Sequence, residues 1–335
     1  MNGIFTISLD FELHWGGFEK WPLQQYRQYF LNTRKTIPNM LRAFKQHDVH
    51  VTWATVGILM HNTRREAERL YPTERPGYAQ QALSAYQYME NTGIGEDEPT
   101  DPFHFAASLV KEILHTPNQE LGSHTFSHYY CNEPGQTVDQ FRGDLRAAQQ
   151  TAALHGKRLT SLVFPRNQFN EDYLRVCYEE GFTSVRDNPR DWFWNIRSTR
   201  NESRWKRLNR GADAYIPLGK KNTYTLDSIV IQPGMPLCLP ASRLLRPYSP
   251  GEYFLNDMKI NRICQEMERA ARNQEVYHLW WHPHNFGSYP EQSMKGLEKI
   301  LQHFDYCRKL YQMSSLTMGE TADYIYQMHG KDQVA

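Results

Sequence analysis

Two histidines four residues apart, His124 and His128 in the segment SHTFSH, have the spacing that most directly suggests chemistry. On a helix, residues four apart lie on one face with Cβ atoms about 5–6 Å from each other. That is close enough for both imidazoles to bind one metal ion. Either histidine could instead be an ordinary polar residue at a strand end. Because a metal site usually needs a third protein ligand, the rest of the chain must supply one.

A pair of carboxylates, Asp10 and Glu12 in SLDFE, follows the first apolar segment. If the chain stays extended there, both side chains project to the same side. One of them could complete a set of two histidines and one carboxylate, which leaves coordination positions open for water and substrate. The other could act as a general base beside a metal-bound water. Such a set accepts Zn, Co, Ni, Mn or Fe, and we expect Zn.

Alternating apolar and amphipathic segments must position these side chains. The predicted strands are 4–9, 50–57, 119–124, 159–165, 182–186 and 276–282, and the predicted helices are 33–48, 138–156, 171–181 and 256–274. Strands that alternate with helices indicate an α/β fold with a parallel sheet covered on both faces. Two long segments, about 60–118 and 193–250, interrupt this pattern, and we interpret them as insertions in a single domain spanning 1–335.

The polar candidates fall at the ends of the predicted strands. In parallel α/β sheets and barrels, ligands bind at the carboxyl ends of the strands, so this placement predicts one common site. The candidates are Asp10, Glu12, Trp53, His124, His128, Pro165, Arg166, Asn167, Arg186, Asp187, Asp191, Trp192, His282 and His284. His14, which follows the acidic pair, is predicted to line the opening of the same site.

The composition excludes several classes of protein. Of the 335 residues, 40% are hydrophobic and 22% charged, with a formal net charge of +1, which is typical of a soluble globular protein and argues against nucleic-acid binding. Five cysteines without a CxxC pair argue against a disulfide framework and a cysteine-type zinc site. The sequence shows no signal peptide and no apolar segment long enough to predict a transmembrane helix, so we expect a cytoplasmic location.

Five segments in order resemble the motifs of the polysaccharide deacetylase family (NodB homology, carbohydrate esterase 4). They are SLDFE, SHTFSH, FPRNQ, RDNPRDW and HLWWHPHN, and the resemblance covers about residues 3–290 outside the insertions. The chain is most similar to the cytoplasmic deacetylases of surface-polysaccharide and O-antigen biosynthesis. The resemblance implies a distorted (β/α)7 barrel and a divalent metal held by one acid and two histidines.

The resemblance also implies roles for the acidic pair. Asp10 corresponds to the catalytic base, and Glu12 to the metal ligand beside His124 and His128. In the family's common pattern two aspartates are adjacent, whereas here Phe11 separates an aspartate from a glutamate. The assignment of base and ligand could therefore be inverted.

The remaining motifs imply further catalytic and substrate-binding residues. Arg166 would pair with Asp10, and its backbone N–H would help stabilise the oxyanion. His282 would be the general acid, with His284 as the rival, and Asp191 would orient it, with Asp187 as a competing acid. The residues expected to contact substrate are His14, Trp53, Asn167, Trp192 and His284.

The implied reaction is removal of an N-acetyl or N-formyl group from an amino sugar that is linked to a nucleotide or a lipid. Two alternatives belong to different classes. One is an amide hydrolase on the same barrel that acts on a non-sugar, purine-ring-like substrate. The other is a catalytically silent carbohydrate-binding module, which a complete set of metal ligands, acid and base argues against.

Overall fold

The computed structural model describes residues 2–191, 194, 205–206, 209, 211, 213, 215 and 221–332. The strands are β1 Ile4–Phe11, β2 Val51–Thr55, β3 Gln119–Ser123, β4 Ser161–Leu162, β5 Ser184–Asp187, β6 Leu237–Pro240, β7 Arg243–Leu244, β8 Val276–Trp281 and β9 Ser314–Ser315. The helices are α1 Leu23–Gln46, α2 Arg64–Glu68, α3 Ala85–Thr92, α4 Ala107–His115, α5 Val138–Leu154, α6 Glu171–Glu179, α7 Tyr253–Arg272, α8 Pro290–Tyr311 and α9 Met318–Asp332.

The strands form one curled sheet in the order β6-β5-β4-β3-β2-β1-β8-β7, and every pairing along it is parallel. β1 lies in the middle, with Ile7 beside Val51 of β2 and Ile4 beside Val276 of β8. The short strand β9 also pairs with the start of β1. The carboxyl ends of all these strands therefore meet at one end of the sheet.

Two residues, Ala241 and Ser242, connect the strands at the two edges of the sheet. The N–H of Ala241 donates to the carbonyl of Asp187 (2.9 Å), at the end of β5. The N–H of Ser242 donates to the carbonyl of His278 (2.8 Å), on β8. This connection brings β6 and β7 together and curls the sheet towards a closed barrel.

The alternation of side chains along β1 explains how it carries polar groups while being fully buried. Phe5, Ile7, Leu9 and Phe11 belong to the main hydrophobic core. The intervening residues face the other side of the sheet, where Asp10 meets polar partners from other strands. The interior of the curled sheet is therefore lined by polar side chains, and the site is built on that face.

The second predicted insertion, about 193–250, contains two strands of the sheet. β6 and β7 lie inside it, so residues 237–244 belong to the sheet itself. These strands were not predicted from the segment QPGMPLCLPAS, because prolines normally argue against a central strand. In the structure the prolines stand at strand ends and at the connection between strands. The first predicted insertion contains α2, α3 and α4.

The structure describes all five cysteines and most of the helical residues. All five cysteines are free; Cys131, Cys177 and Cys307 are buried and the other two are half-buried. Among the described residues, no helix has both the length and the apolar character needed to cross a membrane.

Candidate metal centre and acid–base pair

Three buried side chains converge at the carboxyl ends of β1 and β3. Oε2 of Glu12 lies 3.1 Å from Nε2 of His124 and 2.9 Å from Nε2 of His128. All three residues are less than 5% exposed. The structure thus places Glu12, and not Asp10, between the two histidines.

The two histidines reach this position through a loop and not through a helix. Thr125 and His128 both have positive φ, 63° and 57°, which folds the segment back on itself. The carboxylate of Asp144, on α5, accepts hydrogen bonds from the N–H groups of Phe126 (2.6 Å) and Ser127 (3.1 Å). Burial raises the pKa of Asp144 to about 6. Asp144 was not predicted from the sequence, although an aspartate on the buried face of an amphipathic helix is a detectable signal.

Hydrogen bonds behind the rings set the orientation of both imidazoles. Nδ1 of His124 lies 2.8 Å from the carbonyl of Val163, so it must donate, and in the neutral ring Nε2 is then an acceptor. Nδ1 of His128 lies 3.0 Å from the hydroxyl of Tyr130. Outer partners of this kind orient metal-ligating histidines in general.

The chemistry of the three converging atoms fits a metal ion. Nε2 of His124 faces a carboxylate oxygen of Glu12, and when the ring is neutral these two acceptors need a proton or a metal ion between them. Burial lowers the pKa of His128, although the carboxylate of Glu12 opposes this, so the neutral form that can bind a metal is favoured for its ring. Ligands about 2.0–2.1 Å from a tetrahedral ion stand about 3.3 Å apart, close to the separations seen here.

The second carboxylate, Asp10, is held by an arginine that the sequence analysis did not assign. Arg186, on β5, donates to Oδ1 of Asp10 at 2.5 Å and to Oδ2 at 2.8 Å. The guanidinium also lies 4.2 Å from the ring centre of Trp280 and is almost fully buried. Burial pushes the pKa of Asp10 upward, but the charge of Arg186 outweighs it, with help from His282, and holds the pKa below its ordinary value.

The prediction that Arg166 pairs with Asp10 is wrong. Arg166 forms an ion pair with Glu19 and lies 4.0 Å from the ring centre of Tyr130. Its backbone has a positive φ of 55°, and the turn directs the side chain away from the acid. Arg166 contacts the centre through Tyr130, and its charge helps to lower the pKa of His128. The participation of its backbone N–H in catalysis stays a prediction.

His282 is the more accessible of the two histidines after β8. Its Nε2 lies 3.6 Å from Oδ2 of Asp10 and 3.5 Å from Oε1 of Glu12, and its side chain is 27% exposed. His284 is buried against Trp21 and Tyr29, with Nδ1 3.8 Å from Oε1 of Glu12. Burial, and then the charge of His282, lowers the pKa of His284 to about 3. The geometry favours His282 for proton transfer to a substrate.

The other predicted residues near this end of the sheet have different partners. Oδ1 of Asn167 accepts a hydrogen bond from Arg186 (3.1 Å), so Asn167 belongs to the site. The carboxylate of Asp191 accepts one from Asn222 (2.6 Å), and its orientation of His282 stays a prediction. Asp187 caps the N–H of Asn188 (2.7 Å). Trp192 lies outside the described residues.

Two predicted substrate contacts are buried structural residues. Trp53 is fully buried, packs on Phe11, and donates through Nε1 to Gln119 (2.9 Å). His14 is 1% exposed, and both of its ring nitrogens form hydrogen bonds within the protein, Nδ1 with His104 and Nε2 with the carbonyl of Trp21. The predicted substrate contact of Trp53 is wrong because its strand directs the side chain to the helix side of the sheet. That of His14 is wrong because the turn after β1 buries the ring.

Comparison with known proteins shows the fold and a similarity to one family over part of the chain. The family profile described as polysaccharide deacetylase matches residues 25–185, which include both histidines and Asp144. A search of curated proteins gave no match. Among solved structures, the chain is similar to a protein assigned as a polysaccharide deacetylase from Mycobacterium smegmatis, with 12% identity, a TM-score of 0.60, and coverage of 98% of this chain and 92% of that one.

Two further structures share the fold over nearly the whole chain. One is assigned as a polysaccharide deacetylase from Pseudomonas aeruginosa PAO1, with 11% identity, a TM-score of 0.55, and coverage of 98% of this chain and 92% of that one. The other is the Puue allantoinase, with 12% identity, a TM-score of 0.55, and coverage of 97% and 91%. The fold is therefore the NodB-type (β/α)7 barrel, as predicted. The family profile makes residues 25–185 similar to the polysaccharide deacetylases.

Proposed function

We propose that the protein is a metal-dependent N-deacylase that removes an acetyl or formyl group from an amino sugar. The observation that carries the proposal is the convergence of Glu12, His124 and His128 on one point, beside a second carboxylate and a partly exposed imidazole. A binding module would need no acid placed opposite a base. The family match supports a carbohydrate substrate, and we place the reaction in the cytoplasmic stage of bacterial surface-polysaccharide (O-antigen or capsule) biosynthesis.

Glu12, His124 and His128 would hold the ion, with Zn expected and Co, Ni, Mn or Fe as other candidates. When bound, the ion would polarise the amide carbonyl and lower the pKa of water to about 7. The hydrogen bonds to Val163 and Tyr130 keep both rings turned towards that point.

Asp10 and His282 provide the proton transfers. The bidentate contact with Arg186 keeps Asp10 ionised at neutral pH, so the carboxylate can accept the proton of the attacking water. Nε2 of His282 lies 3.6 Å from the same carboxylate, and the side chain is partly exposed, so this imidazole can deliver a proton to the leaving amine. Asn167 fixes the far side of Arg186 through its amide oxygen (3.1 Å).

A substrate panel with metal-loaded protein tests this function. The panel contains acetylated and formylated amino sugars, free and nucleotide-linked, together with allantoin. We expect a free amine and acetate or formate from at least one sugar, and loss of turnover in an Asp10→Asn variant that retains its metal. Turnover of allantoin alone would assign the chain to non-sugar amides. A protein that binds sugar and turns over none of these compounds would be a binding module.

A further inference from the structure

A buried hydrogen-bond network leads from the proposed base to a histidine that the proposed reaction does not use. Asp10 accepts two hydrogen bonds from Arg186, whose Nη1 also donates to Oγ of Ser8 (3.1 Å). Oγ of Ser8 lies 2.9 Å from Nε2 of His278, on β8. These four residues, the Arg186 network, are each at most 3% exposed. The network therefore lies inside the curled sheet and ends at a residue outside the metal centre.

The donors and acceptors decide the direction of each hydrogen bond in the Arg186 network. A guanidinium only donates, so Oγ of Ser8 accepts from Arg186. The partners of Ser8 among the described residues are Arg186 and His278, so its own proton is directed to Nε2 of His278. Nε2 must then be an acceptor, which requires a neutral ring with its proton on Nδ1.

The electrostatics of His278 agree with this assignment of its proton. Burial, and then the charge of Arg186, lowers the pKa of His278 to about 3, so the ring is neutral at physiological pH. Nδ1 of His278 has no hydrogen-bond partner among the described side chains and backbone groups. The opposite tautomer would leave the Ser8 proton unpaired as well, so the tautomer protonated on Nδ1 is the better satisfied one.

Arg186 is held at four points, one for each of its terminal N–H bonds. Nη1 donates to Ser8 and to Oδ1 of Asp10, whereas Nη2 donates to Oδ2 of Asp10 and to Asn167. The ring of Trp280 lies 4.2 Å from the guanidinium carbon. Because Arg186 engages both oxygens of Asp10, a tilt of the guanidinium moves the carboxylate with it. Ser8 and Asn167 fix the two ends of the guanidinium against such a tilt.

The connection that closes the sheet also joins the two outer strands of the Arg186 network. The N–H of Ser242 donates to the carbonyl of His278 (2.8 Å), and Oγ of Ser242 accepts from the N–H of His278 (2.9 Å). The preceding N–H, of Ala241, donates to the carbonyl of Asp187, which follows Arg186 on β5 (2.9 Å). The backbones that carry Arg186 and His278 are thus linked through two consecutive residues, and their separation is set by closure of the sheet.

We infer that Ser8 and His278 are positioning residues for the base of the proposed deacylation. The inference rests on that function and adds two residues that act through Arg186. His278 accepts the Ser8 proton and thereby turns a lone pair of Oγ towards Arg186. Arg186, fixed in this way, presents the carboxylate of Asp10 to the attacking water. Without the acceptor on His278, the Ser8 hydroxyl is free to rotate and Arg186 loses a fixed partner.

Nitrogen NMR of the histidine side chains tests the Arg186 network without reference to catalysis. In protein with isotope-labelled histidine, the ring signals that disappear in His278→Gln belong to His278. We expect a neutral ring protonated on Nδ1 at neutral pH. We also expect the Nε2 signal to shift in Ser8→Ala, because that variant lacks the hydroxyl donor. A charged ring, a proton on Nε2, or no response to Ser8→Ala would overturn the inference.

Deacylation kinetics with metal-loaded protein separate positioning from a merely structural role. In His278→Leu we expect kcat to fall about tenfold, with KM and metal content unchanged, because the base is displaced and the substrate contacts are not. In His278→Gln the amide oxygen can accept the Ser8 proton, so most of kcat should return.

Thr6→Val is the matched control for these variants. Thr6 is buried on the same strand and face as Ser8, and its hydroxyl lies 3.5 Å from that of Thr321. Removing this hydroxyl deletes a buried polar group without touching Arg186, so the control should turn over substrate as the wild type does.

The possible outcomes distinguish this inference from the proposed function. An unchanged kcat in His278→Leu, equal losses in His278→Leu and His278→Gln, or an equal loss in Thr6→Val would overturn the positioning role and leave the function intact. Metal loss in His278→Leu would also overturn it, since the effect would then lie at the metal centre. If the wild type deacylates no sugar, the proposed function fails, whereas a His278 protonated on Nδ1 that responds to Ser8→Ala would still support the network.

Discussion

Two buried clusters in this protein use the same residue types and differ in how their atoms are arranged. In the first, Glu12 meets Nε2 of both His124 and His128 at a single oxygen. In the second, the side chains form a line: Oδ2 of Asp101 contacts Nδ1 of His104 (2.8 Å), and Nε2 of His104 contacts Nδ1 of His14 (2.9 Å). Nε2 of His14 then donates to the carbonyl of Trp21 (2.8 Å).

The difference lies in whether the ligand atoms converge. In the line, each atom faces one neighbour, so a single proton between each pair lets Asp101, His104 and His14 satisfy each other without a metal ion. At Glu12 one ligand atom from each of three side chains lies within 4.8 Å of the other two, an arrangement found for this group alone among the described residues. Convergent acceptors therefore predict a metal, whereas a linear chain predicts a structural network. Residue type and spacing in the sequence do not distinguish the two.

Removing the convergent carboxylate should have the largest effect. In Glu12→Gln we expect metal affinity to fall by more than about 100-fold, since even the loss of an outer partner of a ligand costs 10–100-fold. Deacylase activity should fall with it. Elemental analysis of the purified variant checks this, with Asp101→Asn as the control from the linear chain. Full metal content in Glu12→Gln would remove the distinction between the clusters.

The pairing of Asp10 is the next test, because it decides which arginine serves the site. Arg186→Met leaves a buried carboxylate without its partner and should cost about 3–5 kcal/mol of unfolding free energy at neutral pH. The pKa of Asp10 should rise, so the acid limb of the activity profile should move to higher pH. Denaturant unfolding and a pH–activity profile measure the two effects.

Arg166→Met is the matched control for that experiment. Arg166 pairs with Glu19 and not with Asp10, so its removal should leave the acid limb in place. If the acid limb moved in Arg166→Met and not in Arg186→Met, the assignment made from the structure would be reversed.

A smaller effect is expected from the linear chain. Asp101 accepts hydrogen bonds from the N–H of Gly95 (2.8 Å) and from His104, so Asp101→Ala leaves buried donors unpaired. We expect a loss of about 3 kcal/mol in unfolding free energy with metal content unchanged. Chemical denaturation and metal analysis of the same sample decide the matter. Metal loss at normal stability would mean that this chain also serves the metal centre.

The pH dependence of stability gives the smallest effect. Burial, and then the charge of His104, lowers the pKa of His14 to about 4. Between that value and its ordinary pKa the unfolded chain binds more protons, so stability falls as the pH drops through this window and is constant above it. At pH 5 the loss should be about 2 kcal/mol relative to neutral pH. His14→Gln, unfolded with chelator present, should show a shallower loss; an unchanged slope would exclude His14 as its source.

The sequence predicted the first strands and the end of the sheet that carries the chemistry. β1, β2 and β8 are apolar or β-branched segments with polar residues at or just after their ends, and both features can be read from a short stretch of sequence. β6 and β7 were missed because prolines and glycines surround them. α8, α9 and β9 lie beyond the last segment that the sequence analysis interpreted.

Side-chain direction accounts for the errors within the site. Arg166 and Arg186 both stand in motif segments, FPRNQ and RDNPRDW, yet only Arg186, on β5, projects into the sheet interior. The register of β5 and the positive φ at Arg166 decide this, and neither can be deduced from residue spacing. Trp53 shows the same limitation, since it lies at the correct strand end but on the opposite face.

The central position of β1 has a consequence for how the protein is made. Glu12 and its two histidines lie within the first 128 residues, whereas Ile4 of the same strand pairs with Val276. A chain emerging from the ribosome therefore contains every metal ligand long before the strand that completes the sheet beside them. Contacts so distant in sequence form slowly. The nascent protein thus passes through an interval in which the metal ligands have been synthesised and the neighbouring strand β8 has not. The proposed acid His282, which follows β8, can approach the proposed base Asp10 only after that interval ends.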